Sequence, residues 1–99
     1  MKVLLGGIRG TAPVTGGAVG EFGGDTTSVL AESAGGTRLV IDLGTGVRVC
    51  DHYLRRVPAR RELTVLLTHY HLDHLIGLPS CSLLNDAALT LDIRGPTLD

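Results

Sequence analysis

Three imidazoles and one carboxylate fall within six consecutive residues of the stretch Thr68-His69-Tyr70-His71-Leu72-Asp73-His74. Neutral imidazole nitrogen and carboxylate oxygen are borderline-to-hard donors that suit zinc, iron or manganese. Three protein donors and an open position make a catalytic zinc site, whereas structural zinc sites draw on cysteine. The chain holds only four histidines in 99 residues. Scattered surface histidines, or core histidines satisfied by hydrogen bonds, therefore account poorly for three gathered in one place. The candidate metal ligands are His69, His71, Asp73 and His74.

These residues need an element that delivers them. Glu62-Leu63-Thr64-Val65-Leu66-Leu67-Thr68 is short, apolar and rich in β-branched residues, which predicts a buried strand that ends where the histidines begin. Along extended backbone His69 and His71 point to the same side, and Asp73 and His74 follow as the chain bends into the next element. Leu75 through Leu84 is expected to be a second helix or a broken helix, starting at Asp73-His74. A helix N-terminus there would favour the Asp73 carboxylate and disfavour protonation of His74, and metal ligation asks for both.

Upstream, Lys2 to Leu5 predicts a first strand, followed by a glycine-rich shaped loop from Gly6 to Asp25. The glycine spacing fits neither a dinucleotide fingerprint nor a P-loop with its lysine. Thr26 to Glu32 predicts a second strand and Arg38 to Asp42 a third. The Ala34-Gly35-Gly36-Thr37 connection between them suggests antiparallel pairing. Asp42, next to Gly44 and Gly46, has two equal readings: support of the metal site through hydrogen bonds to its ligands, or local capping and turn bonding.

Val47, Cys50, Tyr53 or Leu54, and Val57 recur at helical spacing, which predicts an amphipathic helix from Gly46 through Val57 that Pro58 stops. Arg55, Arg56, Arg60 and Arg61 cluster at and beyond its end, where cations complement the helix dipole. His52 is an ordinary helical histidine. Ala88 through Arg94 alternates as a half-exposed strand closed by Gly95-Pro96.

Composition bounds the rest. The length is that of one small domain, and 43% hydrophobic content suffices for a core. Aromatic residues make up only 3%, which argues against base-stacking platforms. A net charge of −1 gives no electrostatic case for nucleic acid or an anionic membrane. Cys50 and Cys81 match no zinc or redox spacing and are expected to be free, half-buried thiols of a reducing compartment. With no signal-peptide core and no spanning run, the expected location is cytoplasmic.

His69-Tyr70-His71-Leu72-Asp73-His74 resembles the HxHxDH motif of the metallo-β-lactamase-fold hydrolases. Gly7-Ile8-Arg9-Gly10-Thr11-Ala12-Pro13, Gly23-Gly24-Asp25-Thr26-Thr27, Asp42-Leu43-Gly44-Thr45-Gly46 and Ile93-Arg94-Gly95-Pro96 resemble, in order, the landmarks of its ribonuclease Z and phosphodiesterase-like branch. Asp25 stands where that branch more often has Asn. The resemblance implies an α/β class fold, an αβ/βα sandwich with a mixed, mostly antiparallel sheet and two helices, of which residues 1–99 would be the N-terminal half.

It also implies two divalent metal ions, zinc first and manganese or iron as alternatives. His69 and His71 would bind one and Asp73 and His74 the other, with Asp73 also in the catalytic role. Metal-activated water would then hydrolyse a phosphodiester or another small-molecule substrate without a covalent protein nucleophile. The family's remaining ligands lie beyond position 99, so the alternative expectation is a catalytically inactive truncated fragment, at most a metal-binding or interaction module. Half a sandwich would leave a sheet face for homo-oligomerisation. RNA enters as a partner only through the family branch and the arginine cluster, and no membrane partner is expected.

Overall fold

The computed structural model describes residues 1–16, 20–56 and 62–98. Five strands form one sheet whose spatial order is their chain order: β1 (Lys2–Gly7), β2 (Ser28–Glu32), β3 (Arg38–Ile41), β4 (Glu62–Leu66) and β5 (Thr90–Arg94). The β1–β2 and β2–β3 pairs are antiparallel, the latter closed by the expected hairpin, in which the Ser33 amide donates to the Thr37 carbonyl at 2.9 Å. Helix α1 (Val47–Arg56) lies between β3 and β4 in sequence. An intervening helix lets the next strand run in the same direction, and β3–β4 and β4–β5 are both parallel. The mixed sheet is thus evenly divided between the two kinds of pairing.

Alternation along the strands decides the core. Leu30, Val40, Leu63 and Val65 fall on one sheet face and pack with Val47, Cys50 and Leu54 of α1 and with Cys81 and Leu83. Burying each such side chain contributes about 1.5–3 kcal/mol of transfer free energy. The other face carries Val3, Leu5, Val29, Ala31, Leu39, Ile41 and Leu66 by register, with Val3 and Leu5 more than half exposed.

The segment after the histidines is a broken helix, made of three 3₁₀ turns at Leu72–His74, Leu78–Ser80 and Ser82–Asn85. Pro79 has no N–H to donate, and the amides on either side of it, Leu78 and Ser80, bond three residues back, to Leu75 and Gly77. Buried Asp51 on α1 ties this segment down by accepting from the Ser82 amide at 3.2 Å and the Ser82 hydroxyl at 2.7 Å. Asp51 also pairs with Arg55 at 3.1 Å, so one member of the arginine cluster serves the helix itself. Val57, the helix stop at Pro58, and Arg60 and Arg61 lie outside the described residues.

Cys50 and Cys81 are free, as expected, but fully rather than half buried. Burial pushes both thiols up, so they stay protonated at neutral pH. A thiol-reactive chromogen should therefore label the native chain slowly, and both cysteines promptly in denaturant. At the far end of the sheet, Arg38 on β3 bonds Glu32 on β2 at 2.8 Å. The Arg38 guanidinium holds the Glu32 carboxyl below its ordinary range, against partial burial that raises it. A depressed carboxyl adds stability that is present above its unfolded value and lost as pH falls through its folded value. Glu32→Gln should lower the urea midpoint at pH 7, and the difference from the unaltered chain should shrink and vanish as the pH is taken down through the lowered range in which folded Glu32 protonates.

Candidate metal centre

The parallel β3–β4 register builds the site. Ile41 pairs with Leu66, and the Asp42 amide donates to the Leu66 carbonyl at 2.8 Å. Asp42 and Thr68 therefore leave the carboxyl ends of neighbouring parallel strands side by side, where open α/β sheets gather their ligands. Asp42 has φ 62°, the left-handed region that Asp enters more readily than most residues. From there its carboxylate reaches back under the histidine loop.

That carboxylate is 1% exposed and accepts three hydrogen bonds. The Thr68 amide donates to Oδ1 at 2.8 Å, while the Thr68 hydroxyl and His74 Nδ1 reach Oδ2 at 2.7 and 2.8 Å. Burial pushes the Asp42 carboxyl up, but these three bonds outweigh it and hold the group below the ordinary carboxylate range. An ionised carboxylate only accepts, so His74 carries its proton on Nδ1 and, when neutral, leaves the Nε2 lone pair free.

The same logic reaches His69. The single proton of the Thr68 hydroxyl goes to Asp42, so Thr68 Oγ1 accepts from His69 Nδ1 at 2.9 Å. His69 Nε2 is then the free donor as well. One buried carboxylate thereby sets the tautomers of two imidazoles. Carboxylate-supported histidines of this kind are characteristic of metal sites, so of the two readings of Asp42 the supporting one matches the geometry.

Asp73 is held from a third segment. The Thr11 amide donates to Asp73 Oδ2 at 3.0 Å, and this bond, with His74 and His71 nearby, keeps the carboxyl below its ordinary range. A helix N-terminus was the expected cause; the turn at Leu72–His74 is only three residues long. Thr11 has φ 73°, strained for a β-branched residue, and its amide bond to Asp73 accompanies that strain. A backbone amide leaves no trace in side-chain types, and this partner was invisible in the sequence. Gly44 closes the arrangement from below: a Cβ there would lie 2.6 Å from the Asp73 carbonyl oxygen, so only glycine lets the turn after Asp42 pass under the loop.

The four predicted residues are together. His69 and His71 have ring centroids 4.5 Å apart, His69 and His74 4.1 Å, and His74 Nε2 is 3.4 Å from Asp73 Oδ2. Among the described residues no three His, Cys, Asp or Glu side chains stand in a geometry that holds a metal ion as they are. The rings pack edge to face instead, at 75° for the first pair. The backbone beneath them is pinned by bonds from Leu43 to the His74 carbonyl and from His74 to the His71 carbonyl, at 2.8 and 3.0 Å. What ligation would adjust is side-chain torsion. By donor type and proximity the set is of the kind that suits a divalent ion.

The sequence profile of the Metallo-beta-lactamase superfamily matches residues 22–87, two thirds of the chain. The chain belongs to this superfamily. The match covers Asp42 and all four candidate ligands, and the mixed α+β sheet agrees with part of the metallo-beta-lactamase fold. The landmarks at Gly7–Pro13 and Ile93–Pro96 lie outside the matched metallo-beta-lactamase region. A search of curated proteins and of solved structures returns no match. Among the described residues no helix is long and apolar enough to cross a membrane.

Asp42→Ala should strand the Thr68 amide and hydroxyl and the Nδ1 proton of His74. Leaving such buried donors unpaired costs about 1–3 kcal/mol each where no water replaces the partner. The expected result is a fall of about 2–4 kcal/mol in urea-unfolding free energy and zinc affinity reduced about 10- to 100-fold. An unchanged zinc affinity in a folded Asp42→Ala variant would contradict the supporting role.

Proposed function

We propose that this chain carries the metal ligands of a metal-dependent hydrolase acting on phosphodiesters. The observation that carries the reading is the Asp42–Thr68–His69 and Asp42–His74 network, which leaves Nε2 of both histidines available, that of His74 3.4 Å from Asp73 Oδ2. Superfamily membership supports metal-dependent hydrolysis. The phosphodiester preference rests on the resemblance of the four landmark segments to the ribonuclease Z and phosphodiesterase-like branch.

His69, His71, Asp73 and His74 would hold the metal, with zinc favoured by the donor types and Asp73 as the catalytic carboxylate. Divalent ions bound there would supply Lewis acidity, generating a water nucleophile at neutral pH and stabilising charge that develops on the phosphoryl oxygens. The chain's own residues do the positioning. Asp42 keeps the Nδ1 proton on His74, and Thr68 keeps that of His69. Thr11 leaves Asp73 one oxygen, Oδ1, outside its own hydrogen bond, so the carboxylate can take a ligand without releasing the loop from Gly7 to Pro13.

Zinc stoichiometry and hydrolysis of a chromogenic phosphodiester, measured on the chain and on His69→Ala and Asp73→Ala variants, test the proposal. Both replacements should lower turnover by at least about 100-fold. Turnover that survives both replacements would sink the assignment. Stoichiometric zinc with no turnover would instead favour a metal-binding module without catalysis. A steep fall in RNA binding with rising salt would be needed to raise RNA as the substrate.

A further inference from the structure

Three of the four candidate ligands have an evident holder: Thr68 for His69, Asp42 for His74 and Thr11 for Asp73. Among the described residues the His71 ring makes no hydrogen bond, so its direction depends on the backbone that carries it. We propose that Tyr70 is the missing positioning residue, a staple that fastens the backbone between His69 and His71 to the end of β5 and so keeps both imidazoles turned into the centre. The inference rests on the metal reading above.

Four observations support it. Successive side chains on extended backbone point to opposite sides, and His71 is extended at φ −64°, ψ 146°. The His69 and His71 rings meet with centroids 4.5 Å apart, while the Tyr70 ring between them in sequence turns to the end of β5. There its hydroxyl donates to the Pro96 carbonyl, an acceptor two residues past the last residue of β5. The ring lies on bare backbone, since a Cβ added at Gly95 would sit 2.6 Å from the Tyr70 hydroxyl and 3.2 Å from Cζ. The Leu67 amide also bonds the Arg94 carbonyl at 2.8 Å. The loop's first residues are therefore clamped to the end of β5 at two points, Leu67–Arg94 and Tyr70–Pro96, with His69 between them.

Burial does not explain the placement. Tyr70 is 40% exposed, and a tyrosine there gains less from leaving water than one in the core. What the ring contributes is direction. A hydrogen bond of this kind is worth roughly threefold to tenfold in an equilibrium that depends on it.

The test compares Tyr70→Phe, Gly95→Ala and the double variant with the unaltered chain. Zinc affinity is read by competition with a chromophoric chelator, and ligand geometry by the visible spectrum of the cobalt-substituted chain. Tyr70→Phe should weaken zinc binding by about threefold to tenfold and shift the cobalt bands, with little change in the thermal midpoint of the metal-free chain. Gly95→Ala should do the same when Tyr70 is present and much less in the Tyr70→Phe background, because the closest clash is with the hydroxyl. Equal zinc affinity and superimposable cobalt spectra in Tyr70→Phe would overturn the proposal, as would a change confined to the thermal midpoint. If Tyr70→Phe does not fold, Gly95→Ala with unaltered zinc affinity overturns it alone. An unaltered chain that binds no zinc would overturn the metal reading and this proposal together.

Discussion

A carboxylate at 1% exposure is costly to ionise unless its oxygens are met by donors, and Asp42 is met by three. Two come from Thr68, the residue that begins the histidine loop, and the third from His74, the residue that ends the candidate ligand set. The charge is thus stabilised only when both ends of the loop are in place. Conversely, the loop has its conformation because the charge is there. Removing any one donor leaves a buried anion underserved, which is why the cluster behaves as a unit rather than as four independent histidine and aspartate positions.

The rest of the fold explains how Asp42 comes to lie beneath that loop. β3 and β4 run parallel because α1 crosses between them, and parallel strands bring their carboxyl ends to the same edge. The core of Leu30, Val40, Val65, Val47 and Cys50 fixes the height of α1 on the sheet. Gly44 then allows the turn out of β3 to pass close under Asp73. A contribution from far earlier in the chain is the Thr11 amide, which arrives on the loop that follows the first strand.

Much of this was legible in residue types. Apolar runs or alternation marked all five strands, helical spacing marked α1, and the density of imidazoles marked the candidate ligands. Asp42 was visible as an acid beside glycines, but its two readings were equal in the sequence because a one-dimensional string does not say which strand lies next to Ile41. The parallel register with Leu66 decides it. The holders of the ligands were harder to see for different reasons. Thr11 acts through its amide, which every residue but proline has, and Tyr70 acts through a carbonyl belonging to Pro96. Of the helix or broken helix expected at Leu75–Leu84, the structure has the broken form, 3₁₀ turns on either side of Cys81 with Pro79 inside the first.

The separation of 26 residues between Asp42 and Thr68 has a thermodynamic meaning. No stretch of the chain shorter than the β3–α1–β4 unit can bring Asp42 to the histidine loop, so an unfolded chain offers neighbouring imidazoles but no oriented set. A ligand that binds only the folded form stabilises it by mass action, by about 2.7 kcal/mol when present at a hundred times its dissociation constant. On the proposed metal reading, occupancy of the centre and integrity of the parallel strand pair would be one linked equilibrium, and the surrounding concentration of free metal would help determine how much of the protein is folded.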